Sequence, residues 1–160
     1  MQMQRIIKGY VLLQQLGSSG LGTVYRAEEP LERREVVLKV LRPYISADET
    51  LMERFSREME RVARLRHPNI IPVYATESEG PLHWVTMQYV SWPTLRQWLQ
   101  QPIPVIWAMA ILRQVAEAVE AAHREGVSHG DIKPGNIILD PDTGRVLLSD
   151  YGMALLREGV

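Results

Sequence analysis

Short runs in which apolar and polar residues alternate dominate the first half of the chain, and this period of two predicts β-strands. A loop rich in Gly and Ser separates the first two runs, and the turn Glu77-Ser78-Glu79-Gly80 separates the last two. The runs are residues 10–16, 23–27, 35–41, 70–74 and 83–90. They predict a five-stranded antiparallel sheet, with the first three strands forming a meander.

One helix is predicted between the third and fourth strands. Ser46-Ala47-Asp48-Glu49 matches a capping box, which predicts Ser46 as the N-cap of a helix that continues to about Arg66. His67-Pro68-Asn69 then ends the helix.

Glu58 occupies an unusual place on this predicted helix. At 100° per residue it falls inside an apolar stripe, which is formed by Leu51, Phe55, Val62 and Leu65. A carboxylate that faces a core requires a cation or hydrogen bonds. The alternative is that Glu58 lies at the edge of the stripe and reaches solvent.

After residue 90 the period changes from two to that of a helix, which predicts a boundary between residues 1–90 and 91–160. A short helix is predicted at 94–100 and a longer one at 104–125, followed by a small hairpin at 137–139 and 145–148. The longer helix carries an apolar surface wider than one stripe, so we expect neighbours on more than one side. The fold class predicted is α+β.

Composition narrows the range of functions. The 160 residues are 46% hydrophobic with a formal net charge of -1, which gives no electrostatic reason to expect a nucleic acid or a membrane surface as partner. Cysteine is absent and the four histidines are widely separated, so neither a disulfide framework nor a structural zinc site is expected. No apolar run is long enough for a secretory signal or a membrane span, which predicts a cytoplasmic chain.

The candidate chemistry is concentrated in His129-Gly130-Asp131-Ile132-Lys133-Pro134-Gly135-Asn136 and in Asp150-Tyr151-Gly152. Two carboxylates, one carboxamide and one ammonium are suited to a phosphoryl group and its magnesium ion, because phosphoryl transfer depends on positioning and charge neutralisation. The alternative is a polar turn that precedes a hairpin.

A second motif, Gly17-Ser18-Ser19-Gly20-Leu21-Gly22-Thr23-Val24, places glycines where backbone N–H groups can approach a phosphate. A dinucleotide-binding loop would open a helix, whereas Thr23-Val24-Tyr25-Arg26-Ala27 is typical of a strand. A tight hairpin without a ligand remains an alternative.

Together these motifs resemble those of the Hanks-type (eukaryotic-like) bacterial serine/threonine protein kinases. We call residues 129–136 the catalytic loop and residues 150–152 the metal loop. The first is similar to H-R-D-x-K-x-x-N and the second to D-F-G, and Val36-Val37-Leu38-Lys39 is similar to V-A-I-K. Gly130 replaces the family's arginine, Tyr151 its phenylalanine and Ser19 the second glycine of its glycine-rich loop. Because that arginine often binds a phosphorylated activation loop, Gly130 suggests another form of control.

The resemblance implies a protein-kinase-like fold, with ATP and Mg²⁺ as cofactors and a protein substrate or regulatory protein as partner. Asp131 and Lys133 would be catalytic, Asn136 and Asp150 would hold the metal, and Lys39 would pair with Glu58 and with the nucleotide phosphates. The remaining cofactor-binding residues would be Leu16, Gly17, Ser18, Ser19, Gly20, Leu21, Gly22, Val24, Val37, Met87, Gln88, Val90 and Ile138.

The resemblance covers nearly the whole chain, but the sequence ends eight residues after Gly152, so we interpret it as a kinase domain truncated after the D-F-G-like motif. The long helix would then be exposed and could support self-association. Three hypotheses remain: a serine/threonine kinase, a nucleotide-binding pseudokinase that acts as an interaction module, and an inactive truncated fragment.

Overall fold

The computed structural model describes residues 6–157. They form two compact units. The first comprises residues 6–63, 73–89 and 156–157, and the second comprises residues 64–72 and 90–155.

An antiparallel six-stranded sheet forms most of the first unit, with the strand order β1-β2-β3-β4-β6-β5. The strands are β1 Ile6–Ile7, β2 Tyr10–Ser18, β3 Gly22–Glu28, β4 Glu35–Leu41, β5 Val73–Glu79 and β6 Leu82–Gln88. The sequence predicted five strands. The two-residue β1 was missed because it is too short to show a period of two.

One face of this sheet carries a hydrophobic core. Val36 and Leu38 of β4 are fully buried there, in a cluster with Tyr10, Ala27 and Trp84. The phenol of Tyr10 and the indole N–H of Trp84 both donate to the Glu77 carboxylate, at 3.0 and 3.1 Å. The two aromatic rings are therefore buried while their O–H and N–H groups remain hydrogen-bonded.

Two helices follow β4 instead of the one predicted. A single turn, α1 Pro43–Ser46, comes before α2 Glu49–Val62. The prediction of Ser46 as N-cap is wrong: the N-cap is Asp48, whose carboxylate accepts a hydrogen bond from Leu51 N at 2.9 Å. Pro43 at the first helical position starts the separate turn, and aspartate caps a helix as well as serine does.

The fourth predicted strand begins later than expected, because β5 starts at Val73. Residues 70 and 71 pair with the second unit's own hairpin instead: Ile70 forms a parallel bridge to Leu148, and Ile71 N donates to the Leu148 carbonyl at 3.0 Å. Asn69 fixes this segment, since its amide donates to the Val146 carbonyl at 2.8 Å.

The remaining elements of the second unit follow the predicted order. They are α3 Leu95–Trp98, α4 Val105–Arg124, a 3₁₀ turn at Pro134–Asn136, and the hairpin of β7 Ile137–Leu139 with β8 Val146–Leu148. A further 3₁₀ turn occupies Met153–Arg157. In α3 the side chain of Gln97 accepts from Thr94 N at 2.8 Å, as in a capping box.

Helix α4 buries one side and exposes the other. The buried residues are Ile111, Val115, Ala118 and Ala122. The exposed large apolar residues are Val105, Ile106, Trp107, Met109 and Leu112. Within residues 6–157, no helix has the length and apolar character needed to cross a membrane.

Candidate active site

Four predicted site residues lie on one face of the first unit's sheet. Val24 of β3 is opposite Lys39 of β4, and Val37 of β4 is opposite Met87 of β6. Directly opposed residues and residues two apart on a strand share a face, so all four share the face opposite to that of Val36 and Leu38. Lys39 is 6% exposed and Met87 is 4% exposed. The fold thus groups one cation with three apolar side chains.

Gly17 at the end of β2, Gly20 in the turn and Gly22 at the start of β3 are glycines for different physical reasons. At Gly22 a Cβ would lie 2.1 Å from the Val40 carbonyl oxygen, so the close approach of β4 excludes any side chain. At Gly17 and Gly20 a Cβ would meet nothing within 4 Å. Gly22 is therefore explained by the sheet, whereas the space beside Gly17 and Gly20 is open to a ligand.

The other residues of this loop divide by burial. Leu16 is 43% exposed and Leu21 is buried, while Ser18 and Ser19 are exposed. Ser19 N donates to the Gly22 carbonyl at 2.8 Å, and Leu21 N donates to Ser19 Oγ at 3.3 Å. These two bonds make the loop a closed hairpin turn.

Gln88, Val90 and Ile138 complete the predicted cofactor-binding residues. Gln88 is the last residue of β6 and pairs with Val36. Val90 follows two residues later, and Ile138 is the central residue of β7. All three are partly buried. Their contacts to a nucleotide remain predictions.

Glu58 lies on α2 beside the buried residues Phe55, Met59 and Val62. Its side chain is 24% exposed, and its Oε2 lies 3.8 Å from Arg61 Nη1. The carboxylate thus has one helical neighbour as an ion-pair partner. The pairing of Glu58 with Lys39 remains a prediction.

His129 organises the catalytic loop of the second unit. It is 2% exposed, its Nδ1 accepts from Asp131 N at 3.1 Å, and its Nε2 lies 2.7 Å from the Ser149 carbonyl. Because a carbonyl can only accept, Nε2 carries the proton and the ring is the neutral tautomer. Burial lowers the pKa of His129 below its ordinary value of 6.5, which agrees with this tautomer. The ring therefore joins the catalytic loop to the residue before Asp150.

Asp131, Lys133 and Asn136 meet within this loop. Lys133 Nζ lies 3.0 Å from Asp131 Oδ2. Asn136 Nδ2 donates to the same Oδ2 at 3.1 Å and to the Asp131 carbonyl at 2.9 Å. The carboxylate, whose side chain is 12% exposed, is held by an ammonium and a carboxamide, so its orientation is fixed before any substrate arrives.

The metal loop is joined to the catalytic loop through Ser149. Ser149 N donates to the Asn136 carbonyl at 2.9 Å, and its hydroxyl donates to the same oxygen at 3.2 Å. Asp150 has φ +67°, a left-handed conformation that is strained for a residue with a Cβ. The hairpin thus brings the two predicted metal ligands, Asn136 and Asp150, into adjoining segments.

Tyr151 holds the metal loop against α4. The ring is 2% exposed, and its hydroxyl donates to the Ala118 carbonyl at 3.2 Å. It packs edge-on against His129 with ring centroids 4.5 Å apart. Burial raises the pKa of the phenol to about 12. The extra hydroxyl of this D-Y-G motif has a buried partner of its own.

Gly130 occupies a position where a side chain does not fit. Its φ is +76°, and a Cβ would lie 2.7 Å from the Cβ of Ala154. An arginine at this position would require the segment at Ala154 to shift. The proposed consequence for regulation remains a prediction.

The donor set at the catalytic and metal loops is suited to Mg²⁺. Asn136 and Asp150 offer carboxamide and carboxylate oxygens, which are hard ligands. Because the Asn136 amide nitrogen donates to Asp131, the amide orientation is set by that bond. No group of three or more His, Asp or Glu that could hold a metal occurs within residues 6–157. A magnesium ion here would complete its coordination with phosphate and water oxygens, as it commonly does.

Sequence reasoning missed several residues that hold the site. Ser149 and the Ala118 carbonyl fix the metal loop, and Arg42 and Tyr44 contact the glycine-rich loop. Only Ser149 could have been found from the sequence, because it directly precedes Asp150. The other contacts join residues at least 23 positions apart, and no local pattern marks them.

Comparisons with known proteins agree with the geometry. The protein kinase domain matches residues 10–158 of this chain. The serine/threonine-protein kinase PrkC of Bacillus subtilis is 34% identical over 153 residues, covering 94% of this chain and 24% of that protein. The serine/threonine-protein kinase PknJ of Mycobacterium tuberculosis is 40% identical over 154 residues, covering 93% of this chain and 26% of that protein.

Solved structures give the same result. The crystal structure of the Mycobacterium tuberculosis PknI kinase domain superposes with a TM-score of 0.85 at 34% identity, covering 96% of this chain and 64% of that one. The chain spans about a quarter of the length of these curated relatives. The chain therefore belongs to the protein kinase family and has a protein-kinase-like fold with a partial C-lobe.

Proposed function

We propose that this chain binds Mg-ATP and contributes the catalytic groups that transfer the γ-phosphate to a hydroxyl group of a protein. The observation that carries the proposal is the fixed carboxylate of Asp131. Lys133 and Asn136 hold it, in a loop whose bonds to Ser149 also fix the segment of Asp150. A polar turn without a function would not need two side chains on one carboxylate.

The first unit supplies the nucleotide-binding surface in this proposal. Val24, Val37 and Met87 would contact the adenine ring, and the backbone of Gln88 would lie along its edge. Lys39 would bind the α- and β-phosphates, with Glu58 orienting its ammonium. The shared sheet face of Val24, Val37, Lys39 and Met87 supports this arrangement.

Asp131 has the central role in the second unit. Its fixed carboxylate would accept a hydrogen bond from the substrate hydroxyl and orient the oxygen for in-line attack, while Lys133 would neutralise charge on the γ-phosphate. His129 remains neutral and keeps Asp131 in place through the backbone N–H of that residue. Transfer then depends on positioning by groups that do not need to rearrange.

Asn136 and Asp150 would hold the metal. Mg²⁺ supplies charge neutralisation at the β- and γ-phosphate oxygens when it is bound. The bond from the Asn136 amide nitrogen to Asp131 leaves the amide oxygen as the group for a cation. The positive φ of Asp150 is a strained conformation, which supports a functional role for this position.

Phosphate transfer to a general acceptor protein such as casein tests the proposal. We expect Mg²⁺-dependent incorporation, reduced at least about 100-fold in Asp131→Asn and in Lys39→Met. Asp142→Asn is the matched control, because Asp142 is an exposed aspartate of the same unit. Equal incorporation by Asp131→Asn and the unsubstituted chain would contradict the proposal.

The exposed face of α4 favours a second candidate, a nucleotide-binding interaction module. Five large apolar side chains of this helix are exposed, and Ile106 is 75% exposed. This candidate predicts that Mg-ATP raises the melting temperature without turnover. It also predicts concentration-dependent self-association, measured by sedimentation and abolished by Ile106→Glu. Turnover by a chain that sediments as a monomer would exclude it.

A further inference from the structure

The tip of the glycine-rich loop is held by two side chains from the segment that follows β4. The Arg42 guanidinium donates from Nε and Nη2 to the Ser19 carbonyl at 3.2 and 3.1 Å, and from Nη2 to Ser18 Oγ at 2.8 Å. The Tyr44 hydroxyl donates to the Gly20 carbonyl. We call the side chains of Arg42 and Tyr44 the loop clamp.

The sheet register brings the clamp to the loop. Gly22, which follows the tip, is directly opposite Leu41 at the end of β4, and the next residue's N–H, that of Arg42, donates to the Leu21 carbonyl at 2.9 Å. Arg42 is extended with φ −64° and ψ 143°, and Pro43 begins α1 directly after it. Proline restricts both its own φ and the residue before it, so the clamp stands on a stiff segment.

The clamp adds to bonds inside the loop. The Ser19 N–H and the Ser19 hydroxyl both take part in closing the turn. Three consecutive residues, Ser18, Ser19 and Gly20, are then held from outside by Arg42 and Tyr44. A loop of glycines and serines would otherwise be among the most flexible segments of a chain. Here its conformation is restricted before any ligand arrives.

We infer that Arg42 and Tyr44 are positioning residues for the nucleotide phosphates, because they hold the tip of the glycine-rich loop in one conformation. The inference rests on the proposed binding of Mg-ATP by this loop. Restricting the loop in advance reduces the entropy lost when phosphates bind. The cation of Arg42 also offsets anionic charge near the loop. Neither effect extends to a ligand that has no phosphates.

Comparing Mg-ATP with adenosine tests this inference. The dissociation constant of each ligand is measured by calorimetry for the unsubstituted chain, Arg42→Ala, Arg42→Lys and Tyr44→Phe. For Mg-ATP we expect it to rise about five- to tenfold in Arg42→Ala and about two- to threefold in Tyr44→Phe. Arg42→Lys should fall between the unsubstituted chain and Arg42→Ala, because an ammonium keeps the positive charge but cannot bridge Ser18 and Ser19 as the guanidinium does.

Adenosine binding separates positioning from a general structural role. Its dissociation constant should stay unchanged in all three variants, since adenosine has no phosphates to contact the loop. Arg57→Ala is the control for the loss of an arginine. Arg57 lies on α2, and 78% of its side chain is exposed. Hydrogen exchange without nucleotide adds a second readout: the N–H groups of Ser19 and Leu21 should exchange faster in Arg42→Ala.

The outcomes are distinct. Unchanged Mg-ATP affinity in Arg42→Ala, or an equal loss of adenosine affinity, would overturn the inference and leave the proposed function intact. A chain that binds neither adenosine nor Mg-ATP would contradict the proposed function, and the role of the clamp with it.

Discussion

The two units hold their candidate functional loops in different ways. In the second unit the groups that fix the catalytic and metal loops are buried: His129, Asn136 and Tyr151 are each at most 5% exposed. In the first unit the glycine-rich loop is held by solvent-facing groups, and Tyr44 is 56% exposed. Buried hydrogen bonds contribute more to stability than exposed ones, because an orphaned buried group has no water to replace its partner.

This difference agrees with the roles that the two loops have in the proposed function. A loop that orients a carboxylate for phosphoryl transfer benefits from a fixed geometry, whereas a loop that covers a nucleotide must open for exchange. Buried anchors suit the first requirement and exposed anchors suit the second. Substitutions of the buried anchors in the second unit should therefore change folding stability, and those in the loop clamp should change ligand affinity with little effect on stability.

Removing the His129 ring is the strongest challenge to this comparison. His129→Ala leaves the Asp131 N–H and the Ser149 carbonyl without partners and opens a cavity beside Tyr151. We expect the free energy of unfolding to fall by about 3 kcal/mol, measured by urea denaturation. His123→Ala, an exposed histidine in the last turn of α4, should change it by less than about 0.5 kcal/mol. Similar effects of the two substitutions would contradict the comparison.

The pH dependence of stability tests the same residue without a change of volume. Because burial lowers the pKa of His129 in the folded chain, the unfolded chain binds the proton more readily. The stabilisation is fully present above the ordinary value of 6.5 and is lost as pH falls below it. Urea denaturation between pH 8 and pH 5, run in parallel on His129→Asn, should show a steeper loss in the unsubstituted chain. Parallel curves would contradict the neutral tautomer.

The smallest expected effects on the free energy of unfolding come from removing the hydroxyl groups of Tyr151 and Tyr44, which is also the most closely matched comparison of the two units. Tyr151→Phe removes a buried hydrogen bond to the Ala118 carbonyl and should lower the free energy of unfolding by about 1 kcal/mol. Tyr44→Phe removes an exposed bond to the Gly20 carbonyl and should change it by less than about 0.3 kcal/mol. The reverse order would show that burial does not distinguish the two loops.

The sequence predicted those parts of the fold that depend on local period and motif order. Val24, Val37, Lys39 and Met87 were assigned by motif, and strands with a period of two do put them on one face. The α4 helix was predicted within one residue of its observed ends. Local physics is sufficient in these cases, because strand and helix periods alone decide which side chains point together.

Other features depend on contacts that no local pattern encodes. Ser46 and Asp48 are both good N-caps, and the separate turn begun by Pro43 decided between them. Residues 70 and 71 have the apolar character of a strand, yet they do not join the six-stranded sheet. The Asn69 amide is bonded to the Val146 carbonyl, and Ile70 forms a bridge to Leu148, so this segment pairs with the hairpin instead. The loop clamp joins segments whose proximity follows only from the register of β3 with β4.

Metal binding by the catalytic and metal loops is the central claim, and Mn²⁺ substituted for Mg²⁺ tests it most directly. Electron paramagnetic resonance reports how much Mn-ATP is bound by the unsubstituted chain, by Asp150→Asn and by the control Asp142→Asn. We expect Asp150→Asn to weaken binding of Mn-ATP at least about tenfold, while Asp142→Asn matches the unsubstituted chain. Equal binding of Mn-ATP by Asp150→Asn and the unsubstituted chain would contradict the account.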